Sequence, residues 1–364
     1  MKTTNWMVPC LSILLTTAGC VSEPPKNEPV KMMPLDIGAI LPLTGPAAYI
    51  GESIKNGIQL AETMHDSSVN VMYEDCQADP KAGIATYRRL KGGGVNVFIP
   101  TFTGVTNALI PLAMDTSNLL LATSVSASGI TASNPNLFRL FIHANGDADM
   151  IARHAVGAMG LKRIGVLYVN DDFGKDYMQV FKSTVLAGGG SIPLEIPFDK
   201  TEMDFKNVML KVKSNPQCEA FYVVSYDKNL ISLLSSYVEA KIDRPILSIA
   251  TIGQPNVREA LNGLPGSLPM MVYTTTAFEK EDFSSPEKTA FAAAYQSRFG
   301  KAPDYFAAFS YDALNILAEA HERSPKDLKR FLRESKFTGV MGEISFDPTR
   351  DANVPMQIDT LNAK

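Results

Sequence analysis

From Leu35 onward the chain alternates short apolar runs of strand length with amphipathic stretches of helical period. That alternation restricts the fold more than any other feature. It is the pattern of βαβ units, in which parallel strands are buried under helices. Strand-like runs fall at Leu35–Leu41, Val69–Tyr73, Val95–Ile99, Leu119–Ala122 and Phe138–Phe141. Between them, Ile54, Ile58 and Ala61 give a helix starting near Gly51 one apolar face, and Asp79-Pro80 opens a helix reaching about Leu90. A second series follows. Its helices are expected over Asp147–Met159, Phe173–Leu186, Phe205–Lys213 and Leu230–Ala240. Its strands are expected at Ile164–Val169, Ile192–Ile196, Ala220–Ser225, Ile246–Ile249 and Met271–Thr275. Helices over Glu287–Phe299, Phe306–Glu322 and Lys326–Glu334 precede two last strands, Glu343–Phe346 and Met356–Leu361. At 364 residues the chain exceeds one simple core. The expected fold is therefore α/β, with two Rossmann-like lobes of parallel sheet flanked by helices.

Several function classes drop out on composition and motif. A net charge of −4 offers no basic face for nucleic acid. The triple glycines Gly92-Gly93-Gly94 and Gly188-Gly189-Gly190 each follow a helix and precede a strand, the reverse of a phosphate-binding loop, so they read as helix stops. With no CxxC, no HExxH and four histidines, no metal or cofactor is expected. Asp171-Asp172 suits the cap of the helix that follows it. No set of nucleophile, base and orienting residue can be assembled, so the chain does not read as an enzyme.

The first twenty residues differ from the rest. Lys2 precedes an apolar run, Trp6 to Leu15, too short to span a bilayer but suited to a signal peptide. Thr16-Thr17-Ala18-Gly19-Cys20 resembles the lipobox of bacterial lipoproteins, although Thr17 stands where leucine is usual. That resemblance implies a signal over 1–19 and lipidation of Cys20, the alternative being an ordinary secretory signal. Pro24, Pro25, Pro29 and Pro34 make 20–34 an extended tether. Of four cysteines, Cys10 lies in the signal and Cys20 would carry lipid. Cys76 and Cys218 then fall in different lobes and are expected unpaired.

Two strands end in loops crowded with hydroxyls and glycine: Pro100-Thr101-Phe102-Thr103-Gly104-Val105-Thr106 and Thr123-Ser124-Val125-Ser126-Ala127-Ser128-Gly129. Ligands of parallel α/β sheets bind beyond the carboxyl ends of strands. Backbone N–H groups at a following helix start favour an anion. Neither loop carries His, Cys or paired carboxylates, so together they read as a cradle that holds a small polar ligand without transforming it.

The run Ile37-Gly38-Ala39-Ile40-Leu41-Pro42-Leu43-Thr44-Gly45-Pro46, with Gly51 and Asn56-Gly57, resembles the opening of type I periplasmic binding proteins. It is most similar to the leucine/isoleucine/valine receptors of ABC transporters. Asp75 with Asp79-Pro80, Phe138-Arg139, Val166-Leu167-Tyr168 leading to Asp171-Asp172-Phe173-Gly174, and Tyr311-Asp312-Ala313 agree in order and spacing. The resemblance implies two lobes joined by three crossover strands, near Phe141–Asn145, Met271–Thr276 and Val340–Ser345. Lobe 1 would comprise 35–142 plus 275–338, and lobe 2 would comprise 143–274 plus 339–364.

It also implies a site. Thr103 would bind a ligand carboxylate, and Ser126, Ala127 and Ser128 would hold carboxylate and ammonium together. Phe173 and Tyr226 would face the ligand from lobe 2 beside Thr251. Tyr49 or Ile50 and Phe278 would wall the pocket. One departure stands out. Those receptors place an acid after the strand at Ile246–Ile249, where this chain has Ala250-Thr251-Ile252-Gly253. Asp227 or Glu279 could substitute for it. A carboxylate without the amine, or an amide-like or aromatic acid, fits as well as an amino acid.

The implied function is a monomeric, extracytoplasmic, lipid-anchored receptor that captures a small carboxylate-bearing ligand between its lobes and delivers it to an ABC permease. Two alternatives are an envelope lipoprotein such as an activator of penicillin-binding proteins, and a ligand sensor for a membrane kinase.

Overall fold

The computed structural model describes residues 1–4, 33–65, 68–279 and 285–361. Most of the signal, the lipobox with Cys20, and most of the tether lie outside them. Contacts divide the chain into a short unit, Met1–Met33, and a compact unit, Pro34–Lys364. Among the described residues no helix is long and apolar enough to cross a membrane.

The first sheet alternates strands with helices in order: β1 (Leu35–Leu41), α1 (Ala48–Glu62), β2 (Val69–Asp75), α2 (Pro80–Gly92), β3 (Val97–Pro100), α3 (Thr103–Leu109), β4 (Leu119–Ala122) and β5 (Leu137–Arg139). Its strands run parallel in the order β2-β1-β3-β4-β5. β3 and β4 are buried along their whole length, as strands covered on both faces must be. The second series is α4 (Ala144–Val156), β6 (Ile164–Val169), α5 (Asp172–Ala187), β7 (Glu195–Phe198), α6 (Lys206–Lys213), β8 (Ala220–Val224), α7 (Asp227–Glu239), β9 (Ile246–Ser248), α8 (Pro255–Asn262) and β10 (Met271–Thr276). Next come α9 (Pro286–Phe299), α10 (Tyr305–Arg323), α11 (Leu328–Glu334), the hairpin β11 (Lys336–Gly339) and β12 (Gly342–Ser345), and β13 (Met356–Leu361). The second sheet has the order β13-β10-β9-β8-β6-β7 and is parallel except for β13, which runs antiparallel to β10. The α/β fold with two sheets is the one expected from the sequence.

Helix starts follow local chemistry. Asp79, Asp171, Asp304 and Asp327 each accept a backbone N–H three residues on, and Ser285 does the same for Lys288. Although α9 and α10 come late in the chain, they pack on α1 of the first lobe. Gly57 permits the closest approach. A Cβ there would lie 2.2 Å from the Ala307 carbonyl oxygen.

Two expectations change. β7 begins at Glu195 rather than Ile192, because only Ile196 and Phe198 of this edge strand point inward. The third crossing is not at Val340–Ser345. That stretch belongs to the β11–β12 hairpin, which the buried Asp312 carboxylate holds against lobe 1 by accepting from the Val340 and Met341 amides at 2.9 and 3.0 Å. Residues 346–352 stay there too. Phe346 packs edge-on to Phe138, Arg350 N–H groups bond the carbonyls of Leu137 and Thr131, and Ala352 N donates to Arg139 O. The chain crosses at 353–355, so 339–352 leaves the expected lobe 2 for lobe 1. Phe138 likewise lies in β5, the edge of the first sheet, and the first crossing follows it.

Candidate functional site

The carboxyl ends of β3 and β4 face those of β6, β8 and β9, and the loops between them enclose a hollow. In lobe 1, Phe102 and Ser124 take φ of +65° and +55°. Left-handed backbone at residues other than glycine is unfavourable and persists where surrounding contacts fix it. Here Phe102 N donates to Ser124 O at 3.1 Å, tying the two hydroxyl loops together. The Thr101 hydroxyl bonds Ile40 O at 2.8 Å, and Ser126 N points to the Thr103 hydroxyl at 3.4 Å. Arg139, only 1% exposed, donates to Ala127 O at 2.6 Å and to the Asp351 carboxylate at 2.8 Å. A half-buried ion pair thus pins the second loop from beneath.

Lobe 2 supplies the opposing wall. Asp171 caps α5, so that Phe173 sits in its first turn, and the Tyr226 hydroxyl donates to the same carboxylate at 2.9 Å. The Thr251 hydroxyl donates to Ser225 O at 2.9 Å. The lobes touch directly. The rings of Phe102 and Tyr226 meet edge to face with centroids 5.6 Å apart. Ser128 donates through its N–H (2.9 Å) and hydroxyl (3.1 Å) to Asp176. Asn107 bonds Asp172, and Lys200 bonds Ala78 O.

The hollow spans about 470 Å³ with its mouth included. Phe102, Phe141, Phe173, Tyr177, Tyr226, Tyr305 and Phe306 bring seven aromatic rings to its wall. Thr103, Ser124, Ser126 and Thr251 contribute hydroxyls, and Asp147 the single carboxyl. Six residues singled out in the sequence therefore line it: Ile50, Thr103, Ser126, Phe173, Tyr226 and Thr251. Four others do not. Ser128 turns across the cleft to Asp176, and Ala127 is held away through its carbonyl by Arg139. Tyr49 packs its ring under the Lys301 ammonium, leaving the neighbouring Ile50 to face the hollow. Phe278 packs on Phe291 in the core.

The acids offered as substitutes are also engaged elsewhere. Asp227 accepts from Tyr49 N and the Asn256 amide. Glu279 accepts from the Thr275 hydroxyl at 2.5 Å, and burial pushes its pKa up to about 8. The acid that does face the hollow, Asp147, has the look of an ordinary helix-start residue in the sequence. It sits in the first turn of α4, is 1% exposed, and accepts the Tyr177 hydroxyl through Oδ2 at 2.9 Å. Burial pushes its pKa up to about 6. The sequence reads Phe141 as the end of a strand entering the crossover and Phe306 as a helix start, and it assigns Tyr305 to no element. The three stack together at the base of the hollow. Their one sequence signal is an aromatic doublet directly after a capping Asp.

Cys76 and Cys218 are buried and unpaired. Among the described residues no cluster of His, Cys, Asp and Glu is arranged for a metal ion. Chemically, the arrangement offers hydroxyl donors and acceptors at the lobe 1 end, flat apolar faces around the middle, and a carboxyl toward the hinge.

A sequence profile described as "Periplasmic binding protein" matches residues 34–363. The Leu/Ile/Val-binding protein BraC3 of Rhizobium johnstonii is 24% identical over 195 residues, 51% of this chain and 53% of that protein, so the match spans about half the relative's length. Among solved structures, a solute binding protein of an ABC transporter from Rhodopseudomonas palustris BisB5, in complex with 3,4-dihydroxy benzoic acid, superposes with a TM-score of 0.79 at 23% identity, covering 89% of this chain and 92% of its own. The branched-chain amino acid transporter substrate binding protein LivJ from Streptococcus pneumoniae, in complex with isoleucine, gives 0.79 at 20% identity, covering 90% and 96%.

Proposed function

The chain belongs to the periplasmic binding protein family, and from that premise we propose that it is the extracytoplasmic solute-binding component of an ABC transporter, holding a compact carboxylate-bearing ligand between its lobes. One observation carries the reading: loops from both sheets close on a single hollow whose wall combines hydroxyls with seven aromatic rings. Thr103 and Ser126, with the hydroxyl of Ser124, would hold the carboxylate by charge-assisted hydrogen bonds, which gain strength where water is excluded. The rings would clasp the ligand's body. The structural neighbours that bind a dihydroxybenzoate and isoleucine support this size and chemistry. Entry would require the contacts between Ser128 and Asp176, and between Phe102 and Tyr226, to part as the lobes swing about the crossings. Lipid attachment at Cys20 would keep the receptor beside its permease.

Native mass spectrometry of the purified protein should reveal a co-purified acid. Thermal shift against benzoates and aliphatic and amino acids should show stabilisation that Thr103→Ala reduces by about tenfold in affinity. No shift with any acid, in a protein that melts cooperatively, would sink the transport reading and favour an envelope-interaction role.

A further inference from the structure

Three acids surround the Tyr305 hydroxyl at the base of the hollow. Asp147 borders the hollow, and Asp147, Glu279 and Asp304 all act on the hydroxyl of Tyr305, whose side chain lines it. Among the described residues none of the three forms an ion pair. Glu279 also leaves one carboxyl oxygen, Oε1, without a partner among the described residues, but neither Glu279 nor Asp304 borders the hollow. Glu279 takes the Thr275 hydroxyl and the Thr276 amide, and Asp304 takes the Ser53 hydroxyl and the Ala307 amide. Asp147 differs. Its Oδ2 holds Tyr177, but Oδ1 has no hydrogen-bond partner among the described residues, and the residue borders the hollow. Thr274 lies near enough to influence the carboxyl yet outside hydrogen-bond geometry. A buried carboxyl oxygen without a donor is costly.

We propose that Asp147 is the cation-binding residue of the cleft, its Oδ1 taking the ammonium of a ligand whose carboxylate rests on the hydroxyl loops. This rests on the proposed binding function and narrows its ligand to acids that carry an amine. Charge selects an ammonium over a neutral hydroxyl. The faces of Phe141, Tyr305 and Phe306 at the base of the hollow attract cations through their ring quadrupoles. A charge-assisted bond to Oδ1 is also the stronger of the two possible pairings. The acid missing after β9 is thus replaced from a different element, the first turn of α4, where it already stands buried and oriented by Tyr177.

The test uses matched pairs that differ only in the amine: L-leucine against 4-methylpentanoate, and 4-(aminomethyl)benzoate against 4-methylbenzoate. Calorimetric titration of the whole protein should show that the amine-bearing member of at least one pair binds at least tenfold tighter. Asp147→Asn, of the same shape, should lose at least tenfold for that amine while holding its deaminated partner within about threefold. Thr103→Ala should weaken both members alike. Cooperative melting and retained binding of the deaminated acid show that Asp147→Asn is folded; if it is not, Tyr177→Phe, which leaves the carboxyl in place without its orienting bond, should weaken the amine alone by several-fold. Wild-type preference for the deaminated acids, or an amine preference that survives Asp147→Asn, overturns the assignment while leaving the binding function intact. Failure of all four acids and of every other acid tried overturns both.

Discussion

Replacing Asp176 with alanine should weaken ligand binding by roughly tenfold without touching the ligand. Asp176 accepts two hydrogen bonds from Ser128 across the cleft, one from the amide at 2.9 Å and one from the hydroxyl at 3.1 Å. Bonds to a charged acceptor contribute about 1.5–3 kcal/mol when buried. These are only part-buried, and screening places the pair near the low end, about 1.5 kcal/mol in total. That is roughly a factor of ten in the equilibrium between open and closed lobes. If the ligand is held only by the closed form and the open form dominates without it, the apparent Kd rises by the same factor. The loss should appear in the dissociation rate, with association nearly unchanged. Stopped-flow titration with the tightest acid of the panel gives both rates. Ser128→Ala removes one of the two bonds and should have a smaller effect. Because both residues serve one contact, the double mutant should equal Asp176→Ala alone. If Ser128→Ala costs more than Asp176→Ala, and the two effects add, Ser128 binds ligand and the cross-cleft contact is incidental.

Two further outcomes follow from buried carboxyls. Burial raises Asp147 to about 6, Asp312 to about 7 and Glu279 to about 8. A carboxyl whose pKa is higher folded than unfolded binds more protons in the native state, so stability falls as pH rises between the two values. The ligand-free protein should therefore melt at a lower temperature at pH 8 than at pH 5, and Glu279→Gln should flatten that slope; a melting temperature that climbs from pH 5 to pH 8 would contradict it. Asp312→Ala strands the Val340 and Met341 amides and should destabilise the fold by about 2–5 kcal/mol in urea unfolding, with a loss under 1 kcal/mol refuting the role given to this carboxylate.

Most strands are legible because parallel sheets bury both faces, so β3, β4, β6 and β8 stand out as unbroken apolar runs. β7 is harder to place. It is an edge strand with two outward residues, and Pro197 interrupts it. The expected lobe boundary at 338–339 splits the β11–β12 hairpin and sends β12 to lobe 2, because the hairpin's anchor is Asp312 on α10, a contact that no local pattern announces. In the cleft, loop residues such as Thr103 and Ser126 could be found from their position at strand ends. Asp147 and Tyr305 could not, since periodicity does not tell which inward helical residues border a hollow and which fill a core. Ser128 shows the opposite failure, in which the right residue type at the right place faces the other lobe.

The return of the chain at 353–355 bears on how the molecule is assembled. β13 closes the open edge of β10 in the second sheet, yet α9, α10, α11 and the hairpin, which all build on the first lobe, separate the two strands in sequence. During synthesis β10 therefore stays an unpaired edge until both lobes are nearly complete. Such edges invite pairing with other chains, and long-range pairings form slowly. A truncation just before Met356 would keep the cleft residues but leave that edge exposed. Its first defect should be self-association rather than loss of binding.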